Sequence, residues 1–225
     1  VTIEPLYKRY RVDGEDDAPL EGVLSSELPS VLRRWREPHC RLALWRRRFS
    51  SEIEARFARL DLEDVPSLRL MTSPADAGRR ISQVLERCDA LDPVLAALLI
   101  HDAAYLVTLF ANATASPEVE LRLEVVTDDA CRKFHTDVTL ARLVTTYVGA
   151  ATQWVPPGHA EQALKQQDDY QGPVFSMPQF GVGLFAGKEL PGNALLHRSP
   201  RISASGNSRL FLCINRPFSA RPHLH

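Results

Sequence analysis

No CxxC pair, no run of 18 consecutive apolar residues and no internal repeat occurs in these 225 residues. Each absence excludes something. The four cysteines (Cys40, Cys88, Cys131, Cys213) are too widely spaced for a disulfide framework or a zinc finger. They read as free thiols in a reducing compartment, so the expected location is cytoplasmic. Without a long apolar run no transmembrane helix is expected, and "VTIEPLYKRYRVDGEDD" lacks the apolar segment of a signal peptide. A net charge of −1, with 24% of residues charged, gives no global pull toward nucleic acid or an anionic membrane. No Lys-Ser/Thr pair follows Gly181, Gly183 and Gly187, so they do not form a phosphate loop.

What is present changes character along the chain. Residues 1–22 are polar and read as an irregular arm. Residues 23–116 read as a helical support region: "LSSELPSVLRRW" and "SEIEARFARLDL" repeat apolar residues at three- and four-residue spacing, with Ser50 and Ser51 as candidate N-caps. The seven arginines and two tryptophans between Val31 and Phe49 read as one solvated helix face. Asp92-Pro93 opens the most apolar helix, in which His101 and Asp102 read as capping or surface residues. From residue 117 to 225, alternating segments such as "EVELRLEVV", "ARLVTTYVGA" and "SRLFLCINRPF" are separated by Gly, Pro, Asn and Asp. The fold class expected is α+β, a helical N-terminal half packed on a jelly-roll-like barrel or sandwich, as one compact body. The polar segment "PPGHAEQALKQQDDYQGP" reads as a mobile loop bordering a pocket.

One constellation carries chemistry. In "CRKFHTDVTLAR", His135 and Asp137 stand two apart, which in an extended chain aims both at one face. A third candidate, His197, follows 62 residues after the first in "ALLHRSPRI". Two histidines and one carboxylate leave open positions on one side of an octahedral ion, the arrangement non-haem Fe(II) needs. A closed zinc site would want a fourth ligand, for which Cys131 is the nearby candidate; satisfied core histidines remain the bland alternative.

With Arg142, "LVTTYVGAATQW" and "GNSRLFLCI", this order resembles the Fe(II)/2-oxoglutarate-dependent dioxygenases of the prolyl-hydroxylase-like branch, over roughly Cys131 to Pro217. The resemblance implies a double-stranded β-helix of cupin-like type, metal ligands His135, Asp137 and His197, and Arg209 as the clamp on the far carboxylate of 2-oxoglutarate. Arg201 is the second-ranked clamp, and Tyr147 and Thr152 would contribute hydroxyls to the same co-substrate. The implied activity is hydroxylation of an unidentified prime substrate. Most of the chain, through "CRKFHTDVTLARLVTTYVGAATQWVP" and "GKELPGNALLHRSP", also resembles a bacterial family named domain of unknown function 1826, often encoded beside CobW-type metallochaperones. That resemblance implies an alternative: a non-catalytic zinc or iron accessory protein with a metal-homeostasis partner.

Overall fold

The structure is a computed structural model, and it describes residues 8–9, 20–202 and 208–217. Most of the expected arm at 1–22, with His223 and His225, lies outside the described residues. The chain is a mixed α/β protein built on a large, mostly antiparallel sheet. Its strands are β1 (Lys8–Arg9), β2 (Val23–Ser26), β3 (Leu42–Trp45), β4 (Arg47–Arg48), β5 (Leu68–Thr72), β6 (Val119–Val126), β7 (Ala141–Val148), β8 (Gln153–Trp154), β9 (Phe175–Ser176), β10 (Val182–Ala186), β11 (His197–Arg198) and β12 (Arg209–Asn215). Seven of them form the major sheet in the order β2-β3-β10-β7-β12-β6-β5, parallel only between β2 and β3. A minor sheet has the order β11-β8-β9, and β1 pairs with β4.

The first half is therefore not the helical layer expected. Residues 23–116 supply β2 and β3 to the major sheet, besides β5, where the short apolar piece "PSLRLMTS" does read as a strand. Leu42, Ala43, Leu44 and Trp45 are all buried, because β3 is covered on both faces. A strand of that kind is a continuous apolar run with no period-2 signature, and periodicity cannot tell it from a helix. The basic stretch is likewise no solvated helix face: a 3-10 turn at Pro29–Arg34 leads into β3 and β4, and Arg47 is 1% exposed.

Three helices do lie where the sequence puts them, the second in the segment that Ser73-Pro74 opens: α1 (Ser51–Arg59), α2 (Ala77–Leu85) and α3 (Pro93–Thr114). The Ser50 side chain caps α1 through the Ile53 amide, and Asp92 caps α3 through the Val94 and Leu95 amides. By length and composition α3 could cross a membrane, contrary to expectation, but most of its apolar stretch is buried in this fold. Its Leu95, Leu99, Leu106 and Phe110 join Leu121, Leu143, Leu184 and Leu212 in the main core. Asp102 is not a surface residue. It is 1% exposed and holds Arg47 through two bonds of 2.5 and 2.7 Å, while Arg47 Nε donates to the Phe180 carbonyl at 2.8 Å.

The two faces of the major sheet do different work. Leu143, Thr145 and Tyr147 on β7 and Leu210, Leu212 and Ile214 on β12 lie on the helix side. Arg142, Val144 and Thr146 alternate with them and lie on the other side, beside Asn215, Cys213 and Phe211 in register. There Leu44, Val144, Phe185 and Cys213 pack against Trp154 and Leu195 of the minor-sheet side, so the two sheets enclose a second core.

Candidate metal centre

His135 and His197 face each other as one antiparallel pair, each backbone N–H donating to the other's carbonyl at 2.9 Å. Directly opposed residues put their side chains on the same face, and the two rings lie 4.7 Å apart between centroids. Asp137, two positions on, is fixed through its carbonyl, which accepts from the Lys188 amide at 2.9 Å. Gly187 makes that approach feasible: a Cβ there would stand 1.9 Å from the Thr139 carbonyl oxygen. One ligand atom from each of His135, Asp137 and His197 falls within 4.8 Å of the others.

Hydrogen bonds set the ring tautomers. Nδ1 of His135 lies 2.8 Å from the Lys133 carbonyl, and Nδ1 of His197 lies 2.9 Å from the Leu195 carbonyl. A carbonyl only accepts, so each Nδ1 carries the proton, and in the neutral imidazole Nε2 presents the lone pair. Burial pushes the His197 pKa down, with Asp137 pulling the other way and His135 adding to the fall, and the buried ring is neutral. Oδ1 of Asp137 receives Arg142 Nη1 at 2.5 Å, and Arg142 Nε donates to Asn215 at 2.8 Å. Oδ2 is buried and has no hydrogen-bond partner. Its neighbour at 3.4 Å is the unprotonated His197 Nε2, which has nothing to donate. An orphaned carboxylate oxygen beside imidazole lone pairs fits a divalent cation, and these donors suit iron, with three protein ligands leaving positions open.

His135 and His197 border a cavity of about 60 Å³ whose walls also include Cys131, Arg142, Thr152, Phe185, Ser199 and Phe211, with Asp137 beside it through its ion pair to Arg142. That is room for roughly four to six waters, the scale of a small ligand. Arg209 stands behind Ser199. It is 1% exposed, donates to Ser199 Oγ at 2.8 Å and Thr146 Oγ1 at 3.3 Å, and leaves Nε unbonded. Among the described residues it has no carboxylate partner, and burial presses its pKa down to about 10. A buried guanidinium without a counter-ion is costly, and an anion in the cavity would relieve it. A larger cavity of about 940 Å³ lies elsewhere, lined by Leu62, Val65, Val125, Val148, Gly149 and Ser208, among others. It contains none of the triad.

The structure thus brings His135, His197 and Thr152 to one cavity, with Asp137 beside the two histidines and Arg209 behind the wall. It does not bring Tyr147 there. That side chain is on the helix face, stacked on Phe57 at 5.5 Å, with its hydroxyl donating to Asp102 Oδ2 at 2.6 Å. Arg201 is also elsewhere: its side chain is 54% exposed and pairs with Asp168 at 2.7 Å. Thr146, Ser199 and Asn215 were not singled out by the sequence. Strand parity was the available signal for Thr146, since it and Tyr147 must face opposite ways. The expected loop at 157–173 is instead a folded strap: a 3-10 turn at Pro157–His159, α4 (Ala160–Gln166) and a second 3-10 turn at Gln167–Asp169. Its Ala163 and Tyr170 pack with Phe134, Val155 and Leu196 in a third core on the outer side of the minor sheet.

Among solved structures, the chain is similar to a prolyl-4-hydroxylase from Pseudomonas putida (14% identity, 73% of this chain and 94% of that chain, TM-score 0.35). It is similar to a full-length Neurospora crassa protein in complex with alpha-KG and 5-formyluracil (11%, 92% and 87%, TM-score 0.44). A third is HygX from Streptomyces hygroscopicus with nickel and 2-oxoglutarate bound (14%, 79% and 83%, TM-score 0.37). At these values the likenesses carry no part of the functional reading. A search of curated proteins found no match. The family described as "Protein of unknown function (DUF1826)" matches residues 26–215, and the chain belongs to that family.

Proposed function

We propose that this protein is a non-haem Fe(II)/2-oxoglutarate-dependent oxygenase that hydroxylates an unidentified prime substrate, on a double-stranded β-helix formed by the major and minor sheets. One observation carries the reading. Asp137 Oδ2, buried without a hydrogen-bond partner, lies close to ligand atoms of His135 and His197, and both rings border a cavity backed by a buried arginine that has no carboxylate partner among the described residues. His135, Asp137 and His197 would hold the metal; bound Fe(II) supplies the open positions at which a 2-oxo acid and dioxygen react. In the net reaction, 2-oxoglutarate and dioxygen become succinate and carbon dioxide as one substrate C–H becomes C–OH.

The chain's own contribution is orientation and dryness. Arg142 engages Oδ1 of Asp137 and so leaves Oδ2 for the metal. Phe185 packs on the His197 ring at 4.9 Å and, with Val144 and Phe211, walls the cavity with apolar surface. Arg209 would receive the far carboxylate of 2-oxoglutarate as a planar fork, and the Thr152 wall would meet the same ligand.

The test is an anaerobic titration of 2-oxoglutarate into Fe(II)-loaded protein, following the charge-transfer absorbance of chelation. The unaltered chain should give the band and form succinate in air. His135→Ala, Asp137→Ala or His197→Ala should lose the metal, and Arg209→Met should keep it while losing 2-oxoglutarate binding, with Arg209→Lys between. Metal binding with neither band nor succinate would overturn the oxygenase and favour a zinc or iron accessory protein. Full metal occupancy in a variant carrying all three of these alanine changes would overturn the centre itself.

A further inference from the structure

In an extended chain, successive residues point their backbone groups at opposite edges. Both backbone groups of His135 go to His197, so those of Phe134 point away from the minor sheet, toward its free edge. There they meet one side chain. Oε1 of Gln167 accepts from the Phe134 amide at 2.8 Å, and Nε2 donates to the Phe134 carbonyl at 3.1 Å. A primary amide presents the donor and acceptor of a peptide unit, so Gln167 takes the place of one residue of a further strand.

The strap commits itself to this contact. Gln167 has φ of 51°, a left-handed backbone that a non-glycine residue seldom adopts, and its Nε2 also donates to the Leu164 carbonyl at 2.9 Å, closing the end of α4. The next residue, Asp168, reaches Arg132 at 3.5 Å and Arg201 at 2.7 Å. Those arginines lie three residues before His135 and four after His197. Two consecutive strap residues therefore hold both ligand-bearing segments.

We infer that Gln167 is a positioning residue for His135, and that the strap and metal occupancy are energetically linked: the strap fixes the ligand, and the metal in turn holds the strap. The inference rests on the metal reading of the triad but not on oxygenase chemistry. Linkage is reciprocal, so it can be read from either end.

Hydrogen exchange across residues 157–173 of the full chain, with and without saturating Co(II), reads it from the metal's end. Exchange should slow when the metal is added. Co(II) titration of Gln167→Ala reads it from the other, with affinity expected to fall about 10- to 100-fold, the range for residues that support metal ligands. Gln162→Ala removes an exposed amide whose bond is to Gln166 and should leave affinity unchanged. Identical exchange with and without metal, or affinity of Gln167→Ala within about twofold of the unaltered chain, would overturn the inference. No Co(II) binding by the unaltered chain would instead overturn the metal reading and this inference with it. If Gln167→Ala fails to fold, the exchange measurement on the unaltered chain decides alone.

Discussion

Replacing Tyr147 with Phe separates the two faces of the major sheet. The phenol donates to a buried carboxylate at 2.6 Å, and a hydrogen bond to a charged group contributes about 1.5–3 kcal/mol. The loss belongs at the lower end of that range, because Asp102 Oδ2 keeps Arg47 Nη2 at 2.7 Å and is not orphaned. The ring itself stays, so its stacking on Phe57 and its burial are unchanged. A destabilisation of roughly 1.5–2 kcal/mol is therefore expected, or a Tm lower by about 3–8 °C for a chain of this size. Urea denaturation and a thermal scan measure it, and titrations of Fe(II) and 2-oxoglutarate run alongside should match the unaltered chain. A Tyr147→Phe protein of unchanged stability but weakened 2-oxoglutarate binding would refute the reasoning, for it would mean that the phenol serves the cavity.

Three other outcomes follow from the same packing. A thiol reagent should label exposed Cys131 first and Cys88 next, and buried Cys40 and Cys213 only on unfolding; saturating metal should slow Cys131, which lines the cavity. Equal rates at Cys131 and Cys40 would contradict this. Burial pushes the Cys40 and Cys213 thiols up to about 11, so between the ordinary thiol value of 9.0 and that value the unfolded chain loses these protons first. Stability should fall as pH rises through this window, by up to about 1.4 kcal/mol per pH unit for each thiol, and urea midpoints at pH 8 and 10 should show a smaller drop in Cys213→Ala. Gly149 has φ of 83°, and a Cβ there would stand 2.5 Å from the Ser208 carbonyl oxygen and 3.0 Å from Arg209 Cγ. Gly149→Ala should cost about 1 kcal/mol or more and weaken 2-oxoglutarate binding while metal content holds; unchanged binding would mean Arg209 does not depend on that turn.

The grouping of His135, Asp137 and His197 was legible in the sequence because its logic is local and chemical. An HxD pair in extended chain specifies geometry by itself, and a second histidine stands downstream in apolar strand context. Arg209 was legible through resemblance, though its bonds to Ser199 and Thr146 depend on how two sheets meet, which no spacing encodes. β3 was misread because burial on both faces erases alternation. Asp102 was misread for a similar reason: a charge within an apolar helix looks exposed until its partner is found, and Arg47 lies 55 residues away inside a run of arginines. The strap failed differently, since its polar composition conceals Ala163 and Tyr170, which fill a pocket made by Phe134, Val155 and Leu196.

The misplacement of Tyr147 shows what strand parity does to this protein's design. On β7, residues 142, 144 and 146 face the cavity side while 143, 145 and 147 face the helices, so one strand serves stability and chemistry in alternate positions. The main core carries aliphatic and aromatic bulk under α3, and the network of Arg47, Asp102 and Tyr147 satisfies its charges there. That leaves the opposite face free to hold groups that are individually unfavourable without a ligand: a carboxylate oxygen at Asp137 that finds no hydrogen-bond partner and a guanidinium at Arg209 that finds no carboxylate among the described residues. Substitutions on the two faces of β7 should accordingly fall into separate classes. Those at Leu143, Thr145 and Tyr147 act on folding with little effect on ligand affinity, and those at Arg142 and Thr146, which hold Asp137 and Arg209, act on ligand affinity first.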